Sequence, residues 1–153
     1  MVDISLEDAL LFVQVPHRFI YTILRDIKLP QEVHLNKTHV RTLLMLRDHG
    51  PISMHRLGKR VGMSKGSFTQ VIDGLVREGL VKRYRDPQDR RSVLVAVTSP
   101  GLSVVRKLDK NFLSHLMPFL AVLSESERQD TIDAIKKLRR ITEIFEERMY
   151  ATK

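Results

Sequence analysis

The chain of 153 residues is long enough for one domain, or for two small lobes that share a core. Its 42% hydrophobic and 29% charged residues exclude a disordered chain and a membrane-embedded one. With no cysteine there is no disulfide framework, no thiolate nucleophile and no cysteine-type zinc site, and early acidic residues argue against a secretory signal. A cytoplasmic location is therefore expected.

The first half of the chain reads as a series of helices. Apolar residues recur at helical spacing from Leu6 to Ile27, and Pro16 is expected to bend this first helix. Asn36 is expected to cap a second helix, which the sequence HGP ends near residue 50. Ile52 is expected to be a short strand, and Ser53 caps a short third helix that ends at residue 62.

The fourth helix is the most clearly amphipathic segment. Ser64 is expected to cap it, and it runs to about Glu78 before Gly79 ends it. Its apolar positions form one buried face: Phe68, Val71, Ile72, Leu75 and Val76. The short VGMS turn between the third and fourth helices predicts a helix-turn-helix.

A β-hairpin follows, with predicted strands at residues 80–85 and 92–97. Between them the sequence DPQDRR combines turn-forming residues with two adjacent arginines. A solvated turn needs polarity but does not need two guanidinium groups. We therefore interpret the hairpin as a wing whose tip meets an anionic partner.

Two long helices complete the chain. The first begins at Pro100 and is expected to end or bend at Pro118, and Ser124 with Glu127 forms a capping box for the last one. Apolar residues along the terminal helices predict a two-fold symmetric homodimer. Its predicted contact residues are Leu6, Leu10, Val13, Ile135, Leu138, Thr142, Phe145 and Met149.

The predicted fold is mainly α with a small β-hairpin wing, in the α+β class. It divides into an N-terminal dimerisation helix (residues 1–34), a winged helix-turn-helix DNA-binding lobe (residues 35–98) and C-terminal dimerisation helices (residues 99–153).

The positive charge is concentrated in the middle of the chain. The formal net charge is +8, and residues 53–91 hold ten Lys or Arg against four acids. Such a local excess favours a polyanionic partner, double-stranded DNA above all. The fourth helix is expected to enter a major groove and the wing tip the adjacent minor groove, with Asp89 orienting a tip arginine. The predicted DNA-contacting residues are Ser53, Ser64, Lys65, Gly66, Ser67, Thr69, Gln70, Asp73, Arg77, Asp89, Arg90 and Arg91.

Three stretches, LNKTHVRTLLML, ISMHRLGKRVGMSKGSFTQVIDGLVREGLVKR and DPQDRRSVLVAVTSPG, resemble the MarR family of bacterial transcriptional regulators. The resemblance implies a dimeric winged helix-turn-helix regulator that binds DNA sequence-specifically. It further implies a repressor that binds an inverted-repeat operator and is released from it by a small-molecule effector. It also implies a small-molecule pocket between the dimer helices and the winged lobe. Expected lining residues are His17, Arg18, Tyr21, Arg41 and Met45.

An enzyme is not expected, because the chain has no phosphate-binding glycine loop, no G-x-S-x-G and no H-E-x-x-H. Of six histidines only His34 and His39 are close in sequence, so no metal site and no cofactor are predicted. Two alternatives stay open: a basic protein that compacts DNA without sequence preference, and a winged-helix protein–protein adaptor.

Overall fold

A computed structural model describes residues 4–28, 35–145 and 147–148. Its contacts divide the chain into a central unit, Asp26–Leu113, and a terminal unit made of the residues up to Arg25 and those from Ser114 onward. The mainly α fold with a small sheet is confirmed, while the division at residues 34 and 98 stays a prediction. The elements in chain order are α1 (Leu6–Leu24), α2 (Lys37–His49), β1 (Ile52–Ser53), α3 (Met54–Val61), α4 (Lys65–Arg77), β2 (Val81–Arg85), β3 (Val93–Val97), α5 (Ser99–Ala121) and α6 (Glu125–Phe145).

Short-range capping interactions start and end the helices of the central unit. Asn36 Oδ1 accepts the backbone N–H of His39 at 2.9 Å, and His39 Nδ1 accepts that of Asn36 at 3.4 Å. Ser53 Oγ accepts the backbone N–H of Arg56 at 3.3 Å. Gly62 ends α3 in the left-handed region, with φ of 77°. The predicted starts of α2 and α3 are therefore confirmed.

The sheet has the order β1–β3–β2, and both pairs of strands are antiparallel. β2 and β3 form the predicted hairpin, with Val81 opposite Val97 and Arg85 opposite Val93. Each strand begins one residue later than the sequence predicted. β1 adds a third strand, since Ile52 pairs with Val95.

The core of the central unit lies between α2, α3, α4 and the sheet. Its most deeply buried large side chains are Phe68, Leu43, Leu46, Leu57, Ile72, Leu75 and Leu108. The start of α5 packs closely on the residue that precedes β2, because a Cβ at Gly101 would lie 2.0 Å from the Leu80 carbonyl oxygen. Thr98 caps α5 by accepting the backbone N–H of Gly101 at 3.1 Å. Glycine is thus required where the first turn of α5 meets the Leu80 carbonyl.

The terminal unit consists of α1, the end of α5 and α6. Of the two effects predicted for Pro118, an end of α5 is wrong, because the helix continues to Ala121; that Pro118 bends the helix stays a prediction. The predicted capping box is present: the Glu127 carboxylate accepts the backbone N–H of Ser124 at 2.7 Å, and Ser124 Oγ accepts that of Glu127. The backbone hydrogen bond from Ser124 lowers the pKa of Glu127. Among the described helices, none has the length and apolar character needed to cross a bilayer.

Candidate nucleic-acid interface

Helix α4 has one face in the core and one face in solvent. Phe68, Ile72 and Leu75 are almost fully buried, as the helical period predicted. The prediction that Val76 is buried with them is wrong, because this residue at the edge of the apolar face is 39% exposed. The solvent face carries charged, amide and hydroxyl groups that include hydrogen-bond donors and acceptors for phosphates and base edges. Its exposed members are Lys65, Gly66, Ser67, Gln70 and Arg77. That these five residues contact DNA stays a prediction.

The first turn of α4 is open toward solvent. Ser64 occupies the N-cap position as predicted, but its side chain makes no capping hydrogen bond within the described residues. Its hydroxyl instead donates to Ser67 Oγ at 3.1 Å. A Cβ at Gly66 would meet no described atom within 4 Å. The first-turn amides thus form a helix end with a partial positive charge, beside the cationic Lys65, that suits a phosphate.

Two residues of the predicted DNA-contacting set on α4 have partners within the protein. Thr69 is half-buried, and its Oγ1 donates to the Lys65 carbonyl at 2.9 Å. Asp73 forms an ion pair with Arg83 of β2, at 2.6 Å between Oδ1 and the guanidinium. Ser53, in the same predicted set, is occupied in capping α3. Each of these three side chains thus has a hydrogen-bond partner within the protein, and that they contact DNA stays a prediction.

The wing tip is a seven-residue loop shaped by hydrogen bonds to its own backbone. Asp86 Oδ1 accepts the N–H of Gln88 at 2.9 Å, and Asp89 Oδ1 accepts the N–H of Arg91 at 3.0 Å. The Asp89 carboxylate thus bonds the backbone of Arg91, where the sequence predicted a bond to an arginine side chain. Arg90 and Arg91 are both exposed at this tip. A bonded loop holds them in place without neutralising their charge.

Sequence reasoning missed Arg83, which is half-buried and reaches α4 from the wing. The signal was present in the alternation of VKRYR, because residues two apart on a strand share a face. Val81 is buried, so Arg83 had to lie on the inner side of the hairpin. Arg85 follows on the same side and donates to the Arg90 carbonyl at 3.3 Å.

The residues proposed for an effector pocket fall in both units. In the terminal unit His17 and Tyr21 stack, with ring centroids 6.4 Å apart, and Arg18 is exposed. In the central unit Arg41 donates to the Arg60 carbonyl at 3.4 Å, and Met45 packs against the core. Within the described residues, no group of three or more His, Asp or Glu side chains could hold a metal ion.

The residues predicted to form the dimer are exposed in the single chain. Leu6 and Val13 are 77% and 71% exposed, and the same holds to a lesser degree for Leu10, Ile135, Leu138 and Phe145. Thr142 is exposed as well, and Met149 lies outside the described residues. Exposed apolar side chains in such number on two helices are typical of an interaction surface.

Comparison with known proteins places the chain in a family. A sequence model described as the MarR family matches residues 35–93, from the start of α2 into β3. The HTH-type transcriptional regulator YkoM of Bacillus subtilis is 32% identical over 114 residues, which are 74% of this chain and 72% of YkoM. The chain belongs to the MarR family. It is therefore a MarR-type, DNA-binding transcriptional regulator, as the resemblance in sequence predicted.

Solved structures share the MarR-family fold. Rv1404 from Mycobacterium tuberculosis superposes with a TM-score of 0.67 at 23% identity, over 92% of this chain and 96% of Rv1404. The PcaV transcriptional regulator from Streptomyces coelicolor, solved in complex with its natural ligand, gives a TM-score of 0.56 at 25% identity. That match covers 92% of this chain and 98% of PcaV.

Proposed function

We propose that this MarR-family regulator binds a specific operator in double-stranded DNA as a homodimer, as a repressor that a small-molecule effector releases. The observation that carries the proposal is the pairing of an exposed polar face on α4 with a wing tip that holds two exposed arginines. Both features belong to the central unit, where ten Lys or Arg stand against four acids in residues 53–91. A cytoplasmic location follows from this function.

Base recognition is assigned to α4. A helix fits the major groove, and glutamine forms paired hydrogen bonds with adenine. Gln70 is exposed on the solvent face, one turn beyond the open N-terminus at Lys65 and Gly66. We therefore assign phosphate binding to Lys65 and the first-turn amides, and base reading to Gln70.

The wing is assigned to the minor groove beside the half-site. Narrow minor grooves have a strong negative potential that attracts arginine side chains. Arg90 and Arg91 are exposed at the end of a hairpin whose loop is held by five described hydrogen bonds. Since Arg91 follows the Asp89 turn directly, we assign the groove contact to it.

The exposed apolar residues of α1 and α6 support a two-fold dimer. Burying one large apolar side chain contributes about 1.5–3 kcal/mol, so a surface with Leu6, Val13 and Phe145 exposed in each chain is strongly favoured to self-associate. A two-fold dimer of a helix-turn-helix protein reads two half-sites one helical turn apart, which gives an inverted repeat.

Release by an effector is supported by the likeness to PcaV, which was solved with its natural ligand. The proposed lining in the terminal unit is the stacked pair His17 and Tyr21 together with Arg18. Arginine and histidine donors suit an acidic group, and the rings suit an aromatic one. Calorimetry with a panel of aromatic acids tests this part: binding that weakens in a Tyr21→Ala variant supports it, and no binding by any member contradicts it.

Selection of bound duplexes from a random pool tests the DNA-binding proposal. An enriched inverted repeat is the expected result. Binding without enrichment, with a steep loss of affinity as salt rises, would instead identify a DNA-compacting protein. No binding even at low salt would identify a protein–protein adaptor. As a control, the selection is repeated at high salt, where contacts to phosphate alone are lost first.

A further inference from the structure

Arg83 lies on the strand of the wing that faces the reading helix. Side chains two apart on a strand share a face, so Val81, Arg83 and Arg85 point to one side of β2. Val81 is 2% exposed, and Val95, which pairs with Arg83 across the sheet, is fully buried. The Arg83 side chain therefore leaves the sheet toward α4.

The guanidinium of Arg83 forms hydrogen bonds with two residues of α4. One terminal nitrogen donates to Asp73 Oδ1 at 2.6 Å, and the other donates to the Thr69 carbonyl at 3.2 Å. Thr69 and Asp73 are four residues apart, so the planar fork spans one helical turn. That turn carries Gln70, the residue assigned to base reading.

These bonds are the polar link between the wing and the helix. In the described part of the chain, both side-chain hydrogen bonds that join the hairpin to α4 come from Arg83. The neighbouring cations stay within the wing: Arg85 donates to the Arg90 carbonyl, and the Lys82 ammonium lies 5.8 Å from the centre of the Tyr84 ring. Apolar packing supplies the rest of the contact.

Stability alone is a weak reason for this arrangement. The side chains of Arg83 and Asp73 are 28% and 47% exposed, and ion pairs with such access to water contribute little. The Arg83 Nε–H is buried and has no hydrogen-bond partner among the described residues. A buried donor without a partner is unfavourable, so an apolar side chain would stabilise this contact at least as well.

We propose that Arg83 is a positioning residue that fixes the wing against α4, so that Arg91 reaches the minor groove while Gln70 reads the major groove. The inference rests on the proposed function. Arg91 lies four residues from Val95, which pairs with Arg83, so it is at most roughly 13 Å from that pair, and a rotation of about 10° moves it by roughly 2 Å. A shift of that size separates a guanidinium from its hydrogen-bond acceptors.

A double-mutant cycle on DNA affinity tests the proposal. The four proteins are the parent protein without substitutions, Arg91→Ala, Arg83→Gln and the double variant. Each is titrated with the selected operator at one salt concentration. We expect Arg91→Ala to weaken binding about tenfold in the parent and less than about twofold when Arg83 is glutamine. A role in stability alone leaves the loss at about tenfold in both backgrounds, and that result overturns the proposal.

Lys82→Gln is the matched control, because it removes the same charge from the same strand without touching α4. In the Lys82→Gln background we expect Arg91→Ala to lower operator affinity by the full factor of about ten. A smaller loss of affinity there would overturn the proposal and indicate a general effect of charge. Asp73→Asn removes the carboxylate on α4 that pairs with Arg83. If Arg83→Gln does not fold, the double-mutant cycle of Asp73→Asn with Arg91→Ala tests the proposal instead. We expect Asp73→Asn to suppress the Arg91 contribution although it removes a negative charge near DNA. A parent protein that selects no operator rejects the proposed function instead.

Discussion

Replacing Gly66 by alanine separates the stability of α4 from its contact with DNA. Gly66 is the second residue of the helix and is exposed. A Cβ at this position meets no described atom within 4 Å, and Gly66 is not among the glycines with positive φ. Nothing in the described residues of the protein therefore requires glycine here. A duplex whose phosphates approach the helix backbone does require it.

The two effects of Gly66→Ala have opposite signs. Alanine is favoured over glycine in helices by up to about 1 kcal/mol, which corresponds to a rise in Tm of roughly 2–4 °C for a chain of this size. On DNA, the added methyl group pushes the first-turn amides away from the phosphate. A hydrogen bond to a charged group contributes about 1.5–3 kcal/mol, so operator affinity is expected to fall roughly tenfold to a hundredfold.

Thermal unfolding followed by circular dichroism measures the first effect, and anisotropy titration with the selected duplex measures the second. Gly74→Ala on the same helix is the control, since its Cβ would lie 3.1 Å from His39 Nε2, inside the protein. We expect Gly74→Ala to gain less stability, because the methyl must displace the histidine ring, and to bind the operator with parent affinity. A Gly66→Ala protein with raised Tm and unchanged operator affinity would refute the close approach of α4 to DNA.

Three further predictions address phosphate binding and base reading, the wing and the dimer. Lys65→Ala should reduce the slope of log affinity against log salt concentration by about one unit. Gln70→Ala should lower the discrimination between bases by about 1–3 kcal/mol, and a selected motif unchanged in Gln70→Ala contradicts the assignment of base reading to this residue. Arg91→Ala should lose more affinity for an operator flanked by A·T tracts than for one flanked by G·C pairs, and Arg91→Lys should recover only part of the lost affinity. Equal losses of affinity on both operators would indicate a plain phosphate contact. Phe145→Asp should give monomers by light scattering and abolish operator binding, while the exposed control Arg139→Asp stays dimeric; a Phe145→Asp dimer would place the interface elsewhere.

The amino-acid sequence determined the local elements of this protein. Asn36 and Ser53 start their helices, and Gly62 ends α3, through interactions that span no more than four residues. The capping box at Ser124 and Glu127 is equally local. Because such signals need only neighbouring residues, they could be recognised along the chain, and the resemblance of three of its stretches to the MarR family indicated the family.

The tertiary structure decided which polar side chains are left for a partner. Thr69 and Asp73 lie at the border of the apolar stripe of α4, and helical periodicity alone assigned them to the solvent face. Their real surroundings depend on β2, which brings Arg83 against that border from ten or more residues further along the chain. In the same way, β1 joins the sheet through Val95, and Gly101 meets the Leu80 carbonyl, across long separations in sequence. Contacts between distant segments depend on how the elements pack in space, and no pattern within one element contains that information.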